Sequence, residues 1–299
     1  MPRLSKKQIL NKSKKKIKEK LENKLVYRIE ELNYFLDEDA RSLNLPKTLK
    51  IEELIEFLED NQILEGIQLN FPRKTVIRYI SKCSQDITYD DLLNIVSTIT
   101  SKGYFSHYTA AFIHGLTNNI VKNIYFSYKN STNNKPTKKL LQENIDMAFS
   151  KPARLTNNFL VYDIYKIVLL ENTFRDEGIL KKLDKKNNKF INFTDIEKTL
   201  IDISVRPEYA GGVAEVLEIY KRAKGQVSSN KLKAYLKKAN YTYPYHQVVG
   251  FYLEHAGYSE LALKFMEEFP IEYNFYLTNE INKKEFSSRW KIFYPSGLI

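Results

Sequence analysis

The clearest periodic pattern in the chain lies between Thr194 and Gly212. Ile196, Leu200 and Ile203, with Ile201 beside them, recur every three to four residues, which predicts a helix with one apolar stripe turned to a core. Thr194 followed three residues later by Glu197 has the spacing of a capping box, so the helix is expected to begin there. Asp195 and Glu197 suit the positive end of the helix dipole and Arg206 suits the last turn. Pro207 then stops the helix, because the residue before a proline is biased away from helical dihedrals. Gly211-Gly212 permits a close backbone approach or an unusual turn before the next periodic run, Val213, Val216, Leu217 and Tyr220.

Towards the N-terminus, residues 5 to 24 place Ile9, Leu10, Ile17 and Leu21 on one side of a helix whose other faces are covered by lysine. A short β-like piece, Leu25-Val26-Tyr27, precedes a helical pattern of Ile29, Leu32, Phe35 and Leu36. A polar connection leads to a third helix with Ile51, Leu54, Ile55 and Leu58, ending near Asn61. Ile63 to Leu69 and Thr75 to Tyr79 alternate as two strands across Pro72-Arg73-Lys74. Three helices followed by a two-stranded ribbon is the order of a winged helix-turn-helix, with the segment after Leu25 as its small third strand.

The later pattern is mixed. Thr88 with Asp91 predicts a capped helix that exits at Gly103, and Ser106 to Gly115 a short helix with small residues at Ala110 and Ala111. Strands are expected at residues 123–127, 158–162, 165–170 and 189–193, with a helix from Thr137 to about Met147 and turn chemistry at Asp184 to Asn188. Helices over 228–236, 246–256 and 259–268 follow, and two aromatic strand-like pieces, 271–277 and 290–294, come last. The expected class is α+β: residues 1–82 as a basic arm and winged helix-turn-helix, residues 83–299 as a mixed α/β domain with a helical C-terminal part.

Charge changes this picture locally. The formal net charge is +11, and residues 1 to 24 carry ten Lys or Arg against two Glu, whereas residues 25 to 80 carry seven against eleven Asp or Glu. The basic excess therefore sits in the arm, where it forms either a solvated helix face or a surface for phosphates. The third helix bears Glu52, Glu53, Glu56, Glu59 and Asp60, an awkward surface for DNA. Phosphate contacts are accordingly expected from Lys14, Lys15 and Lys16 in the arm, from Lys47, Thr48 and Lys50 ahead of the third helix, and from Arg73, Lys74 and Arg78 in the ribbon. The single cysteine, Cys83, leaves no intramolecular disulfide framework or cysteine-rich zinc module, which fits a reducing cytoplasm. No run approaches the roughly 18 to 20 apolar residues of a spanning helix, so no membrane partner is expected.

With these elements in place, the chain resembles the AbiEi family of abortive-infection antitoxins and transcriptional regulators. Two segments carry the resemblance. One is Phe105-Ser106-His107-Tyr108-Thr109-Ala110-Ala111 running to His114-Gly115-Leu116; the other is the Thr-x-x-Glu-x-Thr-Leu-Ile-Asp helix leading into Arg206-Pro207-Glu208-Tyr209-Ala210-Gly211-Gly212. The resemblance implies an N-terminal winged helix that represses its own promoter and a C-terminal domain that counters a nucleotidyltransferase-type toxin. It places candidate antitoxin residues on the outward face of the second helix, Lys198, Asp202 and Arg206, and at the Gly211-Gly212 turn. Asp202 and Arg206, four apart, also have the spacing of an ordinary helical ion pair.

Catalytic readings find fewer residues. His107 and His114 lie seven apart with no carboxylate at ligand spacing, which favours structural or polar roles over a metal. Asp163, Asp184 with Lys186, and Asp195, Glu197 and Lys198 are the material for a metal-dependent nuclease, but capping and turn chemistry already account for most of them. There is no G-x-S-x-G elbow, phosphate-cradling glycine loop or H-E-x-x-H. The expectation is a non-enzyme without cofactor or metal, with a nuclease-like enzyme and a plain adaptor as alternatives.

Overall fold

The computed structural model describes residues 4–81, 86–129, 140–172, 178–184 and 189–299. Cys83 and Lys186 lie outside the described residues, as does the start of the helix expected from Thr137. The chain divides into two compact units, Met1–Ser101 with Lys182–Ile191, and Lys102–Lys181 with Asn192–Ile299. Its class is α+β, as the alternation of periods predicted.

In the first unit α1 (Lys6–Leu21), β1 (Val26–Tyr27), α2 (Ile29–Ser42), α3 (Ile51–Asp60), β2 (Glu65–Phe71) and β3 (Lys74–Ile80) follow one another. The strands form one antiparallel sheet in the order β1-β3-β2, with Val26 opposite Ile80 and Phe71 opposite Lys74 across the ribbon turn. The arm is part of the fold. Leu10, Ile17 and Leu21 are buried with Leu32, Phe35, Leu54 and Leu58, so the lysine-rich sequence forms a helix because one of its faces belongs to the core. Ser5 caps it in a true capping box with Gln8, and Ser13 inside it donates to the Leu43 carbonyl. Thr88 and Asp91 form the expected box at the start of α4 (Tyr89–Ser97). That helix stops at Thr98 and not at Gly103, which instead opens a strand.

A six-stranded mixed sheet follows, most of its residues in the second unit. Its strands are β4 (Gly103–Phe105), β5 (Asn123–Lys129), β6 (Phe159–Tyr162), β7 (Tyr165–Asn172), β8 (Ile179–Asp184) and β9 (Lys189–Thr194), in the order β6-β7-β5-β4-β9-β8. β5 pairs parallel with β7, and β4 pairs antiparallel with β5 and parallel with β9. The short helix α5 (His107–Ile113) leaves β4 directly, and α6 (Gln142–Phe149) precedes β6. From β9 the chain enters α7 (Ile196–Val205), a 3-10 turn (Pro207–Ala210), then α8 (Val213–Ala223), α9 (Ser229–Ala239), α10 (Tyr245–His255) and α11 (Glu260–Glu267). A small sheet closes the chain, with β10 (Phe275–Tyr276) parallel to β12 (Ile292–Pro295) and β11 (Lys284–Ser287) antiparallel to it.

The core of this unit joins Leu200, Ile203, Val216, Tyr220, Phe251 and Trp290. Trp290 is fully buried over Gly250 of α10, so close that a β-carbon built there would lie 2.3 Å from the indole. Its Nε1 donates to Glu254 at 2.7 Å, which satisfies the one polar atom of the ring. Among the described residues no helix is long and apolar enough to cross a membrane.

Candidate functional site

The two segments that carry the family resemblance meet in space. α5 packs on α7 and on the 3-10 turn, and His114, at the end of α5, is 2.7 Å from the Thr194 carbonyl through Nε2 while its ring lies against Phe193.

The start of α7 differs from the capping box expected at Thr194 and Glu197. Asp195 is the N-cap, accepting from the Lys198 N–H at 2.8 Å, one residue later than expected. Thr194 belongs to β9, and its hydroxyl bonds that of Thr199 at 2.7 Å. Glu197 turns away from the helix end to accept from the Ser228 N–H at 2.8 Å. Lys231 of α9 then closes on both acids, 2.9 Å from Asp195 and 3.0 Å from Glu197, and Tyr235 donates to Asp195 at 2.8 Å. Burial alone would lower the Lys231 ammonium, but the bonds from Asp195 and Glu197 raise it overall. These acids therefore hold α7 to α9. Of the nuclease-like candidates among the described residues, Lys198 turns to a different partner and Asp163 sits exposed in the β6-β7 turn.

The outward face proposed for α7 is a second correction. Lys198 and Asp202 are buried, and they pair with each other, so Asp202 does not pair with Arg206. Helical spacing allows either pairing; the packing that buries this face of α7 selects the buried one. Asp202 Oδ2 remains buried without a hydrogen-bond partner. Only Arg206 reaches outward, half-buried, with no side-chain hydrogen bond or ion pair among the described residues. Gly211 and Gly212 have φ of +81° and +93° and serve as the left-handed end of the 3-10 turn and the N-cap of α8, so backbone geometry explains the pair.

Above the buried ion pair sits His107, with a left-handed φ of +50°. Its Nδ1 is 2.8 Å from the Ser106 hydroxyl, which is 2.6 Å from the Ser127 hydroxyl of β5. Tyr209 meets the imidazole edge-on at 5.4 Å, Tyr125 lies tilted to it at 6.0 Å, and the Thr156 N–H donates to the Tyr209 hydroxyl at 2.9 Å. Burial is the main reason the imidazole pKa falls to about 4; Asp202 opposes the shift, while Lys198 and Arg206 add to it. The ring is neutral near pH 7. Ser106 is wholly buried, so this serine-histidine pair offers no nucleophile to solvent and acts as a hydrogen-bonded pin between β4, α5 and β5. Among the described residues no group of three or more His, Cys, Asp or Glu is placed to hold a metal ion.

In the first unit, Lys14, Lys15 and Lys16 are exposed on α1 and make no hydrogen bond or ion pair among the described residues. Lys47, Thr48 and Lys50 are also exposed, immediately before α3. Lys6 links the two regions, donating to the Thr48 carbonyl at 2.7 Å and pairing with Glu53 at 2.7 Å. Arg73 is exposed and Lys74 half-buried at the ribbon turn. Arg78 is not a free wing cation: its guanidinium donates to the Thr98 hydroxyl and carbonyl, both at 2.7 Å, and fastens β3 to the end of α4. Burial lowers its pKa.

Sequence reasoning missed Tyr125, Ser127 and Tyr209 around His107. For Tyr209 a signal was present, since it lies inside the Arg206 to Gly212 segment itself.

No protein-family model matches the chain, and no curated protein matches it. Among solved structures, the crystal structure of the Rv2827c protein from Mycobacterium tuberculosis is similar, with a TM-score of 0.57 and 12% identity, covering 90% of this chain and 86% of that one. At that identity the likeness is one of fold, and it extends over both units of the chain.

Proposed function

We propose that the chain is a non-catalytic antitoxin and autoregulator, whose first unit binds its own promoter as a winged helix and whose second unit neutralises a nucleotidyltransferase-type toxin in the cytoplasm. The observation that carries the reading is the packing of the two family-like segments into one module, with His114 of the first bonded to Thr194 of the second, 80 residues away. Residues that recur in a resemblance for independent reasons need not touch; these do.

The DNA-binding half is supported by the helix-strand-helix-helix-ribbon order and by the exposed Lys14, Lys15 and Lys16 of α1, a helix that Lys6 ties to the start of α3. The exposed acids Glu52, Glu56 and Glu59 on α3 oppose close approach of that helix to phosphate. The contact surface is therefore α1 with Lys47, Thr48 and Lys50, joined by Arg73 and Lys74, and Arg78 is withdrawn from it.

An electrophoretic shift with DNA from upstream of the gene tests this half. A salt-sensitive shift is expected; none at low salt refutes it. The other half is tested by co-expression with the neighbouring gene, where rescue of growth is expected and persistent toxicity refutes it.

A further inference from the structure

A cleft of about 370 Å³ opens in the second unit where the end of α7 and the 3-10 turn face α6, the loop before α10 and the β10 segment. Its volume lies at the lower end of small-molecule sites, roughly 300 to 1,000 Å³. Two features separate it from a solvent groove. First, Arg206 and Arg154 both line it, and neither guanidinium has a hydrogen-bond or ion-pair partner among the described residues. The one lining carboxylate, Glu208, already accepts from the Thr278 hydroxyl at 3.2 Å. Second, the wall is aromatic and held in place by ring contacts. Tyr243 stacks on Phe275 at 5.9 Å and 23°, Tyr276 stacks on Phe149 at 5.6 Å and 11°, and Tyr245 meets Phe275 edge-on at 5.4 Å.

Free guanidiniums select an oxyanion that accepts two parallel N–H bonds, and phosphate fits that geometry. Rigid tyrosine faces select a flat π-system and hold it by stacking. A bare phosphate would leave the aromatic wall unused, and a neutral aromatic ligand would leave two cations unpaired. The volume suits one such unit.

We propose that this cleft binds a nucleotide, with the phosphate on Arg206 and Arg154 and the base against the Tyr243, Tyr245 and Tyr276 wall. The site recognises a base carrying a phosphate, whether as a free mononucleotide or as the terminal nucleotide of an RNA. The assignment stands apart from the antitoxin reading, because it uses no property of a toxin.

Calorimetric titration of the full chain with AMP, ATP, adenosine and inorganic phosphate provides the test. AMP and ATP should bind, with adenosine and phosphate each weaker by roughly tenfold or more, the loss expected when a charge-assisted contact or the stacked ring is removed. Arg206→Gln and Arg154→Gln should each weaken AMP by a similar factor without shifting the melting temperature. Arg154 is exposed and makes no bond, so Arg154→Gln keeps the test valid if Arg206→Gln fails to fold. A short oligoribonucleotide that binds more tightly than AMP, and needs both arginines, identifies an RNA end as the source; equal or weaker binding identifies the free nucleotide. No binding of AMP or ATP at millimolar concentration overturns the proposal. So does AMP binding no tighter than phosphate, or binding indifferent to both arginines.

Discussion

The buried Lys198–Asp202 pair gives the most exacting test of the second unit. The two side chains are 9% and 7% exposed, so each charge left alone would face a low-dielectric interior. Removing one partner of such a pair costs about 3 to 5 kcal/mol, whereas exchanging both for apolar residues is neutral or stabilising by about 1 to 4 kcal/mol. Asp202→Ala and Lys198→Met should therefore each be strongly destabilised, and Lys198→Met with Asp202→Leu together should recover most of the loss. For a unit of this size each kcal/mol shifts the melting point by about 2 to 4 °C, so either single variant should fall by about 6 °C or more. The assay is urea unfolding followed by tryptophan fluorescence. Trp290 is the only tryptophan and is buried in the same core, so it reports on this unit alone. Single variants that each cost less than about 1 kcal/mol, the range of exposed ion pairs, would refute the reasoning, because the pair would then be solvated.

Acid should destabilise the unit through His107. Its folded pKa is about 4 against about 6.5 unfolded, so the unfolded chain takes up the proton first as pH falls. The full contribution is present above pH 6.5 and is lost as pH falls towards 4, about 3 kcal/mol in all. His246, also lowered to about 4 mainly by burial, adds with the same sign. His107→Asn, which tolerates the left-handed backbone, should flatten part of the stability profile between pH 4 and 6.5; an unchanged profile would contradict this. Gly250→Ala should destabilise by about 1 to 3 kcal/mol or more through overpacking against Trp290, with a red-shifted emission, and a neutral result would show that the indole has room. Lys14→Gln with Lys15→Gln and Lys16→Gln should weaken promoter binding and reduce the salt slope by up to about 3, while Arg78→Ala should lower stability instead of that slope.

Legibility in the sequence followed how local each decision was. The alternation of Ile67, Leu69 and Phe71 against Val76 and Ile80 is a property of neighbouring strands, and the ribbon formed as its pattern predicts. Thr88 and Asp91 kept their capping box, which closes within four residues of sequence. Thr194 and Glu197 have similar spacing but lost it, one to β9 and Thr199, the other to α9 across 31 residues of sequence. The partner of Asp202 was undecided for the same reason, since spacing does not reveal which turn of α7 is covered. β8 and β11 were overlooked because Lys181-Lys182 and Lys284-Glu285 interrupt any apolar alternation, and their strand state comes from pairing with neighbours. The arginine and tyrosine cleft gathers Arg154, Arg206, Tyr243 and Tyr276 from four separate segments, which no single window contains.

Neutralisation of a toxin is read from growth under co-expression. The neighbouring gene is expressed alone, with the full chain, and with the Lys198→Met, Asp202→Leu double variant, with chain levels matched by immunoblot. The neighbour is expected to arrest growth alone, and the full chain to restore it. The double variant is expected to restore growth as well, because the buried pair is a structural support. A neighbour that is harmless by itself, or one that stays toxic beside the folded full chain, would rule out neutralisation.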